Sequence, residues 1–285
     1  MLPWRTWLGH KRVTKSAGAA KKYSARQSTT YARQLNSSYD RRVAVVGALG
    51  SSTSSDLRGQ STAVIVPVGS TEQHGPHLPL DTDTRIATAV AHGMLARLAD
   101  APGCVGEWRW LVAPAIGYGA SGEHQSFPGT ISIGTEALVL LLVEYGRSAA
   151  CWASRLLFVN GHGGNVAALQ RAADLLRSEG RDVAWCACTA CGADAHAGHT
   201  ETSLLLHISP AAVRTERWCA GNGAPLSDLL ASIRSGGVAA VSEVGVLGDP
   251  TTATAADGGR ILAELVDGCM RRLARWAPGA DGMLT

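Results

Sequence analysis

The chain has 285 residues, of which 46% are apolar and 17% are charged. This composition supports a substantial core and excludes a wholly disordered chain, and the length allows one large domain or two small ones. The longest apolar runs, such as 137–143, are much shorter than the roughly 20 residues that span a bilayer, so we expect a soluble globular protein without a membrane partner.

The charges are unevenly distributed along the chain. Residues 1–39 hold eight basic residues, among them every Lys, and no acidic residue, whereas the rest holds 18 of the 26 basic residues and all 23 acidic ones. A body without Lys excludes a Walker-A phosphate loop and a Schiff base, and its acidic balance argues against a nucleic-acid partner. We interpret 1–39 as a basic, disordered extension that superficially resembles a transit peptide, and 40–285 as one domain. We expect residues 1–34 to be dispensable.

The body alternates apolar, β-rich runs with segments of helical spacing. Strands are predicted over 63–68, 110–116, 130–133, 155–159 and 183–188. Helices are predicted over 84–98 with Asp83 or Thr84 as cap, over 135–148, from a cap at Asn165 to a stop at Gly180, over 201–207 and over 259–276. This alternation predicts an α/β fold with three layers, α/β/α, around a mostly parallel sheet.

A dense polar cluster follows the first buried strand. It contains two imidazoles and three carboxylates within twelve positions, namely Glu72, His74, His77, Asp81 and Asp83. Such donors suit zinc, iron or manganese, and the two-residue period of extended chain places Glu72 and His74 on one side. The carboxyl end of a buried strand is where ligands bind in open α/β sheets. The alternative is a solvated loop with a capping Asp.

Two further clusters carry candidate ligands. His162 lies in Asn-Gly-His-Gly-Gly-Asn (160–165), between a strand and a helix. This segment is a metal-ligand loop, a phosphate cradle at a helix N-terminus or a structural glycine turn. His196, His199 and Glu201 precede a later helix, where Glu201 is either a ligand or a residue that complements the helix dipole.

Cysteine and serine chemistry are both disfavoured. The chain has seven Cys, an odd number, and no segment typical of a secretory signal, so we expect reduced thiols in the cytoplasm. Cys186, Cys188 and Cys191 lack a second pair at zinc-ribbon spacing and are predicted to be buried, inert thiols. Ser121 lacks the Gly-x-Ser-x-Gly pattern of a serine hydrolase.

Five motifs in this order resemble the creatininase family of metal-dependent amidohydrolases. They are Gly-Ser-Thr-Glu-Gln-His-Gly-Pro-His-Leu-Pro-Leu-Asp-Thr-Asp (69–83), Gly-Glu-His-Gln-Ser-Phe-Pro-Gly-Thr (122–130), Asn-Gly-His-Gly-Gly-Asn (160–165), His-Ala-Gly-His-Thr-Glu-Thr-Ser (196–203) and Gly-Val-Leu-Gly-Asp-Pro-Thr (245–251). The resemblance covers the body and implies a creatininase-like fold and a homo-oligomer.

The resemblance also implies a site. Glu72, His74, Asp83 and His162 match positions that hold two divalent metal ions in this family, Fe²⁺ or Zn²⁺ first and Mn²⁺ next, with Asp83 as the bridge. Glu201 completes the set. The ions make hydroxide available near neutral pH. The remaining roles fall to three further residues: His196 passes a proton to the departing nitrogen, while Glu123 and His124 orient the substrate or, alternatively, stabilise the loop.

One position separates this chain from creatinine hydrolases. They carry a Glu two residues after the ligand His, where this chain has Gly164. The segments 36–39, 52–57 and 78–87 resemble a branch that removes an already modified Val-Tyr unit from the C-terminus of a short ribosomal peptide. The other hypotheses are hydrolysis of creatinine, a single-metal hydrolase of a nucleotide-derived formamide, and a phosphate-binding regulator that uses 162–165.

Overall fold

A computed structural model describes residues 47–100 and 108–285. The predicted disordered extension at 1–39 lies outside the described residues. Four strands, β1 (Thr62–Val68), β2 (Arg109–Val112), β3 (Arg155–Asn160) and β4 (Val183–Ala187), form a parallel sheet in the order β2-β1-β3-β4. Strand β1 is buried along its whole length because it lies inside the sheet and both faces are covered.

Seven α-helices lie among the described residues: α1 (Ser54–Leu57), α2 (Thr82–Asp100), α3 (Gly134–Ala149), α4 (Val166–Ser178), α5 (His199–Ile208), α6 (Leu226–Gly236) and α7 (Ala255–Arg275). Helices α2, α5 and α7 pack on one face of the sheet, and α3 and α4 pack on the other. Along β1, Ala63 and Ile65 enter the first core, whereas Val64 and Val66 enter the second. The predicted three-layer α/β/α fold is therefore confirmed. Within the described part of the chain, no helix has the length and apolar character that a membrane crossing needs.

Several local predictions are wrong. The segment 130–133 is not a strand, because its amides bond to loop carbonyls outside the sheet: Ile131 N donates to Thr71 O, and Ile133 N donates to Gly119 O, both at 2.9 Å. Helix α2 begins at Thr82, so its predicted caps lie inside its first turn. The side chain of Asn165 does not cap α4. It accepts from the amide of Ala120 instead, at 2.9 Å.

The cysteine prediction holds for one residue of three. Cys186 is buried in β4, where its thiol donates to Cys269 Sγ at 3.4 Å. Strand β4 ends at Ala187, and the chain then leaves the core, so Cys188 is half-buried and Cys191 is exposed. The six cysteines of the described ranges are all free.

Candidate metal centre

The polar clusters meet at the carboxyl ends of the two middle strands. The loop after β1 carries Glu72 and His74, and the loop after β3 carries His162. Gly161 brings the second loop against the start of α2, since a Cβ at this position would stand 2.5 Å from the backbone oxygen of Asp83. Only glycine allows this approach, which places the three side chains and Asp83 in one buried group.

Asp83 links two imidazoles. Its Oδ1 lies 3.0 Å from His74 Nε2, and its Oδ2 lies 3.2 Å from His162 Nδ1. Ser70 donates from Oγ to Oδ2 at 2.6 Å, which orients the carboxylate. Asp83 therefore joins His74 and His162 in one group, with a different carboxylate oxygen facing each imidazole.

Glu72 is the clearest indication of a cation. It is fully buried, with Oε1 3.3 Å from His124 Nε2 and Oε2 3.2 Å from His162 Nε2. Neither oxygen has a hydrogen-bond partner of suitable geometry. A buried carboxylate without partners is costly, and a divalent cation would satisfy it. Carboxylate oxygens beside imidazole nitrogens suit zinc, iron or manganese, so the residues fit such an ion.

Ligand-type atoms within 4.8 Å of one another form three groups in the described chain. The groups are Glu72 with Asp83 and His162, His74 with His196 and Glu201, and Glu72 with His124 and His196. The structure thus brings together all five residues predicted to bind metal and two of the three predicted to be catalytic.

Glu201 lies at the start of α5 and faces this cluster. Its Oε2 is 3.8 Å from His74 Nε2 and accepts from the backbone amide of Ala197 at 2.6 Å. This hydrogen bond holds the carboxylate in place beside His74. The position is compatible with both interpretations of Glu201, as a ligand and as a helix-start residue.

The other candidates lie at the rim or outside. Glu123 is partly exposed, with Oε1 3.6 Å from His162 Nε2. Asp81 pairs with Arg85 at 2.7 Å and does not reach the cluster. His77 contacts Thr202 through Nε2 at 2.8 Å, and His199 contacts Thr252 through Nδ1 at 2.9 Å. Neither imidazole belongs to the three groups above.

Sequence reasoning missed three polar residues at the site. Ser70 and Ser121 contact Asp83 and His162 through their hydroxyls, and Gln73 contacts the imidazoles of His124 and His196. Gln73 lies between the candidate ligands Glu72 and His74 in the sequence, and this position was the one feature that could have indicated a role at the site. Its long-range partners are 51 and 123 positions away, so spacing could not reveal them.

The phosphate-cradle interpretation of 160–165 loses support. The Asn165 side chain is fully buried and already bonded: Nδ2 donates to Gly69 O at 2.9 Å, and Oδ1 accepts from Ala120 N. His162 is buried against Asp83 and Glu72, two carboxylates. A phosphate would meet negative charge at this place, whereas a cation would be attracted to it.

The electrostatics of the cluster also favour a cation. Burial alone would lower the pKa of His74 and His162, but the charges of Asp83 and Glu72 outweigh it and raise both pKa values to about 10. Burial raises the pKa of Glu72 and of Glu201 to about 7. Without metal, the carboxylates therefore hold protons on His74 and His162 at neutral pH.

We expect removal of metal to make stability fall as the pH rises from about 7 to about 10. The folded-state pKa of His74 and of His162 is raised to about 10, so their stabilisation is complete below about pH 6.5 and is lost as the pH approaches 10. Glu72 and Glu201, whose pKa values are raised from 4.5 to about 7, act in the same direction at lower pH, between about 4.5 and 7. Bound cations replace these protons, so the zinc-loaded protein should hold its melting temperature better. Thermal melts with and without chelator measure the difference, and the same pH dependence in both samples would contradict it.

Comparisons with known proteins identify the family. A family model described as creatinine amidohydrolase matches residues 50–273. The chain belongs to the creatininase family. The predicted resemblance and fold are thereby confirmed, as is the prediction of a hydrolase that acts on amide bonds.

This creatininase-family chain has close relatives. It is 71% identical over 251 residues to a protein of Mycobacterium tuberculosis (strain CDC 1551 / Oshkosh) named mycofactocin precursor peptide peptidase, an alignment of 88% of this chain and 100% of the relative. A protein of the same name from Mycobacterium ulcerans (strain Agy99) is 66% identical over 256 residues, again 88% and 100% of the two chains. A solved structure named "Creatininase Mn" superposes with a TM-score of 0.66 at 24% identity, covering 82% of this chain and 100% of that one.

Proposed function

We propose that this chain is a divalent-metal-dependent peptidase that removes the modified C-terminal Val-Tyr unit from the mycofactocin precursor peptide. The observation that carries the proposal is the 71% identity along the full length of a relative named for that substrate. The cluster of carboxylates and imidazoles supports metal dependence. We further propose that the protein is a homo-oligomer and that it is located in the cytoplasm; the free thiols of the described residues support the location.

Two ions would share the cluster. Glu72, Asp83 and His162 would hold one, and His74 and Glu201, with Asp83 as the bridge, would hold the other. Fe²⁺ and Zn²⁺ are the first candidates, and Mn²⁺, named for a creatininase structure, is the next. Divalent ions at such a site polarise an amide carbonyl and lower the pKa of water toward about 7.

The surrounding residues supply the proton transfer and the orientation of the substrate. His196 Nδ1 points to the cluster, 3.9 Å from Glu72 Oε1, which suits a group that passes a proton to the departing nitrogen. Glu123 lies at the partly exposed rim beside His162. From there, Glu123 and the buried His124 would orient the peptide.

The surroundings of Gly164 argue against creatinine as the substrate. A Cβ here would stand 2.2 Å from the backbone oxygen of Ala120 and 2.5 Å from His162 Nε2. The Glu that creatinine hydrolases carry at this position therefore has no room in this chain. Glu201 supplies the missing carboxylate from a different element, α5.

The proposal is tested with the purified full chain, loaded in turn with Fe²⁺, Zn²⁺ and Mn²⁺. Each form is incubated with the modified precursor peptide, with the same peptide lacking Val-Tyr, and with creatinine. We expect mass spectrometry to show release of the modified Val-Tyr unit from the first substrate only. Rapid hydrolysis of creatinine together with no cleavage of the peptide would overturn the substrate assignment. Full activity in the presence of a strong chelator would overturn metal dependence.

A further inference from the structure

We propose that Gln73 is a positioning residue that fixes the tautomers of His124 and His196, so that His124 carries its proton on Nε2 and His196 carries its lone pair on Nδ1, the nitrogens that lie 3.3 and 3.9 Å from Glu72 Oε1. Gln73 lies between Glu72 and His74 in the chain, but its own side chain is directed to different partners. Its amide is almost completely buried and touches both imidazoles.

The orientation of the Gln73 amide is set by two backbone groups. Oε1 accepts from the amide of Gly75 at 2.9 Å, and Nε2 donates to the carbonyl of Gly245 at 3.1 Å. A backbone N–H only donates and a carbonyl only accepts. Reversing the side-chain amide would lose both bonds, so the NH₂ group must face His124.

The proton position on His124 follows from this orientation. Gln73 Nε2 lies 2.8 Å from His124 Nδ1 and donates its second proton there. His124 Nδ1 must then carry a lone pair. The proton of the neutral ring is on Nε2, which lies 3.3 Å from Glu72 Oε1. The N–H of His124 therefore lies on the side of Glu72, at an angle that does not form a hydrogen bond to Oε1.

The backbone of the same residue determines the tautomer of His196. His196 Nε2 lies 2.8 Å from the carbonyl oxygen of Gln73, which can only accept, so Nε2 carries the proton. The 3.1 Å contact between His196 Nε2 and Gln73 Nε2 then joins two donors and is not a hydrogen bond. The lone pair of His196 is on Nδ1, 3.9 Å from Glu72 Oε1.

The space for this amide is provided by Gly245. Its φ is +76°, and a Cβ there would stand 2.0 Å from Gln73 Oε1 and 2.5 Å from Gln73 Cδ. A side chain at this position would displace the amide from both imidazoles. The backbone of a loop more than 170 positions away thus leaves room for a single side-chain orientation.

Two consequences follow for the site. A protonated His124 Nε2 cannot ligate a cation, so the group formed by Glu72, His124 and His196 is not a third metal position. His196 Nδ1, which carries the lone pair, is on the side of the cluster, as the proton-transfer role proposed for this residue requires. The second consequence rests on the proposed function, whereas the tautomers rest on geometry alone.

Neutron diffraction from crystals of the metal-loaded full chain, exchanged into heavy water, tests the tautomers. We expect deuterium on Nε2 of both imidazoles and none on Nδ1 of His124. In Gln73→Glu, a carboxylate replaces the donor, and deuterium should move to His124 Nδ1, while His196, held by the backbone, stays unchanged. Deuterium on His124 Nδ1 in the unmodified protein would overturn the proposal.

Kinetics give a second, independent measurement. Gln73→Met removes the donor at similar length, and we expect kcat to fall about 10–100-fold with little change in KM, as for residues that orient catalytic groups. The control is Gln170→Met, which should keep full kcat. This variant also loses one side-chain hydrogen bond, to Asp281, but Gln170 lies on α4, outside the site. An unchanged kcat in Gln73→Met would overturn the positioning role. If the unmodified protein cleaves no peptide, the proposed function is wrong. The deuterium positions would still show whether Gln73 fixes the tautomer of His124.

Discussion

Replacing Glu201 with Gln is expected to lower the metal content from about two ions toward one and to slow turnover by about 100-fold or more. Without the Glu201 carboxylate, the second ion would keep only His74 and the shared Asp83, fewer than the three protein ligands usual at catalytic sites. The fold should survive, because the side-chain oxygen of Gln can still accept from the amide of Ala197. Elemental analysis of the purified variant, together with its rate, measures both effects.

The matched control is Asp81→Asn, which also removes one carboxylate charge from the same region. Asp81 is half exposed and pairs with Arg85, so this variant should retain about two ions and nearly full activity. If Glu201→Gln keeps two ions and full rate, Glu201 is only a helix-start residue and the proposed ligand set is wrong.

A methyl group at Gly164 is expected to destabilise the protein and to displace His162. In Gly164→Ala the new Cβ would stand 2.2 Å from the Ala120 carbonyl and 2.5 Å from His162 Nε2. Overpacking of this kind costs about 1–3 kcal/mol, which corresponds to a melting temperature lower by about 2–12 °C in a domain of this size. Displacing His162 should also cut the rate by about 100-fold. Thermal melts and initial rates on the peptide measure the two effects.

The neighbouring glycine offers a control with the same chemical change. A Cβ on Gly163 would meet no atom within 4 Å, so Gly163→Ala should keep both stability and rate. Equal behaviour of the two variants would show that the loop can move and that the close packing around Gly164 does not shape the site. Gly164→Glu, which restores the residue of creatinine hydrolases, should gain no activity on creatinine.

The sequence was informative wherever one physical requirement dominates a segment. Strand β1 is buried on both faces and reads as an apolar run, and the long helices repeat apolar residues at helical spacing. Helix α6 (Leu226–Gly236), which was not predicted, buries only Leu229. Its packing is too slight to impose a strong pattern. The segment 130–133 has residues typical of strands, but its backbone amides bond to loop carbonyls. Tertiary contacts, which local propensity does not reveal, determine its conformation.

The same distinction applies to the site. Residue types and local spacing are sufficient to nominate the polar segments 72–83 and 160–165, because carboxylates and imidazoles near strand ends suit metal ions. The resemblance to the family then selects Glu72, His74, Asp83 and His162 within them. The contacts of Gln73 are different in kind. They depend on a loop glycine, Gly245, and on imidazoles from separate elements. No short-range pattern encodes them, so only the folded chain reveals which nitrogen of each imidazole faces the cluster.

The ligand-type residues extend along the chain from Glu72 to Glu201 and come from four segments that meet only in the folded state. Ions that bind this arrangement bind the folded chain and not the unfolded one. An ion present at 100 times its dissociation constant therefore adds about 2.7 kcal/mol to the free energy of unfolding. Under the proposed metal dependence, the metal supply of the cell would therefore govern the amount of this protein as well as its rate. Under metal starvation a larger fraction of molecules would open and be degraded, so the cell would hold fewer copies.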